Sequence, residues 1–157
     1  MIDICCLGMV FDGRNKKHPQ FTPVLEWINA GGYMIYGGTK YNEELRRIPK
    51  YLPYIAELSK KRRTIRIESD VVDRIATNLK EKIADPDFDD EHLVALVIAS
   101  RCCVVCTDDN GAISFLRRSD LFKGYIGANR PKIYRGRKSH GRLCCSEHVV
   151  GICREQG

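Results

Sequence analysis

The chain has no apolar run long enough to cross a bilayer, so no helical membrane span is expected. It has no basic segment ahead of its first apolar residues. "MIDICCLG" carries an acid at position 3 instead, so no signal peptide is expected there and the cytoplasm is the expected location. It has no internal repeat and no low-complexity linker, which argues against a solenoid or an array. At 157 residues, it reads as a single unit with enough core to fold unaided.

Cysteine is not scarce. Eight are present, at 5, 6, 102, 103, 106, 144, 145 and 153. Without a secretory signal a disulfide framework is not expected. Five of them lie in apolar, strand-like runs, where a free thiol acts as a small hydrophobe. Two zinc readings are weaker. Cys103-x2-Cys106 would have to leave a buried strand to reach an ion. His140, Cys144 and His148 have the spacing of one helix face but lack an obvious fourth ligand. The pair Cys144-Cys145 follows a basic segment, which favours thiolate and hence reactivity.

Charge is uneven. Residues 117–157 hold ten Lys/Arg against three Asp/Glu, and residues 1–116 hold sixteen against seventeen. A basic end and an acidic body suit a polyanion held by one and worked on by the other. In "RPKIYRGRKSHGR", Lys132, Arg135, Arg137 and Lys138 surround Tyr134. Cations for phosphates and a ring for a base make these the expected RNA contacts.

Hydrophobic period places the elements. "MIDICCLGMV" reads as a buried first strand with Asp3 near its start, and "DGRNKKHPQ" as a loop. Phe21, Val24, Leu25 and Ile28 share a helix face, with Thr22 as cap, Pro23 in the first turn and Gly31 at the end. Strands are expected at 33–36, 64–67, 102–106 and 132–134. Helices are expected from "GGTKYNEELRRI", "YLPYIAELSKKRR", "SDVVDRIATNLKEKIA", the run 93–99 and "NGAISFLRRSDLF". Strands alternating with helices define an α/β fold with a central, mainly parallel sheet. In such sheets ligands bind beyond the carboxyl ends of the strands.

The stretch "DDEHLVALVIASRCCVVCTDDNG" (89–111) is the most telling. Residues 93–99 are apolar on every side, as in a helix buried all round. A helix of about ten residues rises about 15 Å, and the strand 102–106 runs back along it. The acidic pairs 89/90 and 108/109 therefore meet at one edge. Asp3 and Glu43/Glu44 are expected at the same edge. Asp90 alone reads as a cap, 108/109 as turn formers and Glu44 as a solvated residue, whereas Asp3 inside a buried strand is costly unless paired or metal-bound. Together, with no Lys or His between them, they suggest a cage for a hard divalent ion.

These segments resemble the PIN-domain ribonucleases over residues 1–122, with 123–157 as a basic C-terminal extension packed on, or trailing from, the same domain. "IDICCLG" resembles the family's first strand, with Asp3 as its acid. "YGGTKYNEEL" resembles its strand, Ser/Thr and "EL" helix, which singles out Glu44. "DPDFDDEHLVALVIAS" resembles the acidic turn that opens its buried helix, with Asp90. "VVCTDDNG" resembles its strand followed by Thr/Ser-x-Asp, with Thr107 and Asp109. The resemblance implies a three-layer sandwich and endoribonuclease activity with Mg²⁺ or Mn²⁺ held by Asp3, Glu44, Asp90 and Asp109. Thr107 would bond a carboxylate or the activated water, and none of the four histidines is given a role. It also implies an RNA partner and suits the toxin of a toxin–antitoxin pair, with an antitoxin or a second copy as further partners. Cys5 stands where the family usually has Asn. The alternative is a catalytically weak or inactive PIN-like domain that binds nucleic acid or regulates. Glu43, Asp89 and Asp108 remain neighbouring alternatives to the acids chosen.

Overall fold

A computed structural model describes residues 1–83 and 85–154. The protein is mixed α/β, with short parallel strands in two small sheets. Strand β1 (Met34–Gly37) pairs in parallel with β2 (Thr64–Ile67), Met34 opposite Thr64 and Gly37 opposite Ile67. Strand β3 (Val104–Cys106) pairs in parallel with β4 (Lys132–Tyr134), Val104 opposite Lys132 and Cys106 opposite Tyr134. Helices α3 (Thr39–Arg46) and α4 (Leu52–Lys60) connect the first pair. Helix α7 (Asn110–Leu116) lies between the strands of the second.

The expected first strand shrinks to a single bridge. Ile2 pairs in parallel with Cys106. Cys106 N–H donates to Met1 O and Asp3 N–H donates to Cys106 O, both at 2.9 Å. The chain then turns into a 3₁₀ segment, Ile4–Cys6, and helix α1 (Leu7–Phe11). The apolar run that suggested a longer strand buries Leu7 and Val10 as helical residues instead. Helix α2 (His18–Asn29) also starts earlier than Thr22. Pro19 takes its first turn, and Thr22 and Pro23 are interior.

Helix α5 (Ser69–Lys82) packs on α6 (Glu91–Ser100). Helix α6 is buried on every face, including Leu93, Val94, Leu96 and Val97. Burying each of these side chains contributes roughly 1.5–3 kcal/mol, so the helix is fixed rigidly and its first turn with it. Between β1 and α3 two glycines carry the chain through a tight passage. Gly37 has φ 151° and Gly38 φ 82°. A Cβ on Gly37 would run into the Ile67 carbonyl, and one on Gly38 would stand 2.7 Å from Val72 Cγ1. Only glycine lets α3 start there, and α3 carries Glu44.

The basic extension is folded in: β4 extends the β3 sheet, and helix α8 (Arg137–His140) packs on α2. Among the described residues, no helix is long and apolar enough to cross a membrane.

Candidate functional site

The acids gather at the carboxyl ends of the strands. Asp3 follows the Ile2 bridge and is 6% exposed. An ionised carboxylate this deep needs donors, and it has them. Thr107 Oγ1 donates to Asp3 Oδ2 at 2.6 Å, and Cys5 Sγ donates to the same oxygen at 3.2 Å. Thr107 is wholly buried and directly follows β3. Its oxygen also accepts the Asp109 N–H at 3.1 Å. One hydroxyl thus ties Asp3 to Asp109 across more than a hundred residues of sequence.

Asp108 and Asp109 differ in their partners. Asp108 turns away to Lys17 Nζ (2.6 Å) and Arg135 Nη2 (3.1 Å). The bond from Lys17 holds its carboxyl below the usual range, with Arg135 adding to the effect. Asp109 caps α7, its Oδ1 accepting from Gly111 N at 2.7 Å and Ala112 N at 3.2 Å. Among the described residues no hydrogen bond engages Asp109 Oδ2 or Asp3 Oδ1.

Asp90 occupies the N-cap position of α6 but makes no capping bond with its side chain. Burial, then the charges of Asp89, Asp109 and Asp3, push its carboxyl up to about 6. Glu44 is raised by burial and by Asp3, against the pull of Lys40. Glu43 and Asp89 are exposed. Asp3 thus acts on both Glu44 and Asp90, while Asp109 and the exposed Asp89 act on Asp90.

Sequence reasoning missed His92, which sits on the first turn of α6. It is buried, with Nε2 3.7 Å from Glu44 Oε2. Burial and Lys40 bring its pKa down to about 4, so it is neutral at pH 7. Beside it Glu91 is buried, with Lys40 at 3.6 Å and Lys80 at 3.8 Å. The signal was a polar pair opening a helix that is otherwise apolar all round.

The expected RNA contacts divide. Tyr134 is fully buried, donates its hydroxyl to Gln20 O at 2.8 Å and packs edge-on against Phe21, so it has no free face for a base. Lys132 enters β4 at the end opposite the acids. Arg135 is held by Asp108 beside them. Arg137 lies 3.7 Å from Glu26, and Lys138 is exposed.

The cysteine readings also change. His140, Cys144 and His148 do not share a helix, because 3₁₀ segments Gly141–Leu143 and Ser146–His148 interrupt it. Cys103 is half-buried rather than buried, and burial pushes the Cys144 thiol up to about 11.

Among the described residues, no three His, Cys, Asp or Glu side chains are drawn together tightly enough to hold a metal ion. The donor chemistry still suits a hard divalent cation. Among the described residues one oxygen on each of Asp3 and Asp109 accepts no hydrogen bond, and burial with the charges of Asp89, Asp109 and Asp3 destabilises Asp90 as an anion. No family model, no curated protein and no solved structure matches the chain.

Proposed function

We propose that the chain is a metal-dependent endoribonuclease of the PIN-like kind, with a three-layer arrangement about a mainly parallel sheet. The observation that carries the reading is the Thr107 hydroxyl bonded to both Asp3 and Asp109, with Asp90 close enough to feel both carboxylates. Four separated segments converge on one edge, at the strand ends where α/β sheets place their ligands.

In this reading Asp3, Asp90 and Asp109 hold Mg²⁺ or Mn²⁺ through carboxylate oxygens, with Glu44 orienting from α3. The bound ion would supply a water of lowered pKa and stabilise charge on the phosphoryl and leaving oxygens. Thr107 fixes the rotamer of Asp3 and the turn that presents Asp109. Lys17 and Arg135 neutralise Asp108, which lessens the repulsion an approaching phosphodiester meets. Hydrolysis would leave a 5′-phosphate and a 3′-hydroxyl.

Incubating labelled RNA with the protein under Mg²⁺ or Mn²⁺ titration, with EDTA as control, tests the reading. Cleavage that rises with metal and vanishes in Asp109→Asn supports it; identical cleavage in EDTA overturns it. One observation favours a second reading, a nucleic-acid-binding domain without activity. A thiol, Cys5, bonds Asp3 where the resembled family has an amide. RNA binding without cleavage at any metal concentration would select it. The toxin role and an antitoxin partner rest on the resemblance alone. A small overlapping gene for a DNA-binding protein beside this one would support them.

A further inference from the structure

We infer that the cavity at the N-terminal ends of β3 and β4 binds a phosphate group. It lies at the opposite end of these strands from the acids and does not depend on the nuclease reading. Its volume is about 440 Å³, within the range of small-ligand pockets. Arg101, Arg130 and Lys132 line it, against a single acid, Glu147. Among the described residues, none of these three cations forms an ion pair with a carboxylate.

Each cation is positioned without being neutralised. Arg130 Nη1 donates to the Arg117 carbonyl at 3.1 Å, which orients the guanidinium and leaves its charge. Lys132 Nζ stands 2.8 Å from His148 Nε2. An ammonium has no lone pair, so Nε2 accepts. His148 Nδ1 then carries the proton and donates it to Leu143 O, also at 2.8 Å. The contact uses one ammonium hydrogen and leaves Lys132 two further donors for an oxyanion.

Arg101 ends α6 with φ 56°, a position where Gly or Asn is usual. Arg62 ends α4 in the same conformation, so the backbone alone marks a helix end and not a site. Gly127 sets Arg101 apart. It has φ 77°, and a Cβ there would stand 3.0 Å from Arg101 Nε and 3.1 Å from Cζ. A glycine at 127 leaves the guanidinium its place on the cavity wall.

Planar guanidinium forks and an ammonium suit a tetrahedral oxyanion. Among the described residues no Phe, Tyr or Trp lines the cavity, and its one ring, His148, is held by Lys132 and Leu143 O, so the site reads the phosphate and not a base. The phosphate belongs either to a free small molecule, inorganic phosphate or a nucleotide, or to an RNA strand passing this edge.

Calorimetric titration of the full chain with inorganic phosphate in EDTA tests the site while keeping any ion off the acid edge. Saturable binding is expected. It should weaken about tenfold to a hundredfold in Arg130→Gln/Lys132→Gln, the effect of losing charge-assisted hydrogen bonds. It should tighten in Glu147→Gln, which removes the one repelling charge and keeps the test alive if the double variant folds poorly. An unphosphorylated RNA oligonucleotide separates the sources. If phosphate competes with it and the double variant weakens it in step, the natural ligand is a phosphodiester. If its binding is unmoved, the ligand is a free phosphate or nucleotide. Absence of saturable phosphate binding, or equal affinity in wild type and both variants, overturns the inference.

Discussion

Strands β3 and β4 are three residues long, yet their two ends carry opposite chemistry. At the carboxyl end Thr107 ties Asp3 to Asp109, and burial with the charges of Asp89, Asp109 and Asp3 disfavours Asp90 as an anion. At the amino end Arg101, Arg130 and Lys132 face one Glu147. In the sequence, by contrast, the bases form one run, Arg130 to Arg142. The fold cuts that run at β4, sending Lys132 to one edge and Arg135 to the other, where it holds Asp108. Regional net charge therefore says little about where a polyanion docks. The partners of each charge decide it.

The largest effect that would sharpen this contrast lies within one dipeptide. If the chain is the nuclease proposed, Asp109→Asn should lower metal-dependent RNA cleavage by about 10³-fold or more, since a charge proposed to hold the ion is lost. The fold should survive, because Asn caps a helix as well as Asp does. Asp108→Asn should change the rate by no more than about fivefold, as its ion pairs lie at the surface. Cleavage assays on the two variants, with circular dichroism as a fold check, decide it. An inactive Asp108→Asn beside an active Asp109→Asn would reverse the assignment.

Asp90 supplies the next contrast, through stability. Its folded pKa of about 6 stands above its ordinary value of 3.8. The folded state thus holds the proton more tightly, and ionised Asp90 lowers stability above pH 6. That penalty fades as pH falls through 6 toward 4. Asp90→Asn should raise stability at pH 7 without metal by about 1–2 kcal/mol, after discounting the shift for solvent screening. The gain should vanish near pH 4. Mg²⁺ should stabilise wild type more than the variant. Urea melts at the two pH values, with and without Mg²⁺, measure all of this. A variant less stable than wild type at pH 7 in EDTA would make Asp90 a helix cap after all.

Much of the acid edge was legible because local patterns determine it. An apolar run broken at Ser100-Arg101 and β-branched after it reads as a buried helix followed by a buried strand, and the acids at its two ends mark where both surface. The elements around β1, β2 and α5 follow from period and turn chemistry in the same way. What was not legible depends on groups distant in sequence. Asp108 and Asp109 are equivalent turn residues until Lys17 and Arg135 arrive from other elements. Tyr134 reads as a stacking platform among cations until β4 pairs with β3 and turns its ring onto Phe21. The start of the chain misleads for a local reason. Ile4 to Val10 satisfies strand and helix patterns alike, and the Cys6 N–H bonding Asp3 O at 2.9 Å sets the helical choice.

A smaller contrast lies among phosphate contacts. Arg137 and Lys138 follow β4 at the acid end. If an RNA strand crosses that edge and touches both, Arg137→Ala/Lys138→Ala should make the slope of log K against log salt shallower by about 1.4. Cleavage at saturating RNA should be nearly unchanged, since the acids are untouched. An unaltered slope would place the strand elsewhere.

The smallest expected effect reads the acid edge without any reaction. Cys5 is exposed, yet its thiol is held well above its usual pKa by its bond to Cys6, by burial and by the charge of Asp3. Only the thiolate attacks a disulfide reagent, so Cys5 should label slowly for so open a position. Its Sγ lies 3.2 Å from Asp3 Oδ2. Anything that neutralises Asp3 should therefore ease ionisation of the thiol. Adding Mg²⁺ should speed Cys5 labelling by roughly a few-fold. Cys103, at the far end of β3, should label at the same rate with and without the ion. In Asp3→Asn, Cys5 should label faster from the outset and ignore Mg²⁺. Peptide mass mapping after timed exposure to the reagent resolves the two thiols. Mg²⁺ that leaves Cys5 unaffected in wild type would mean that no ion settles beside Asp3, whatever the RNA assay shows.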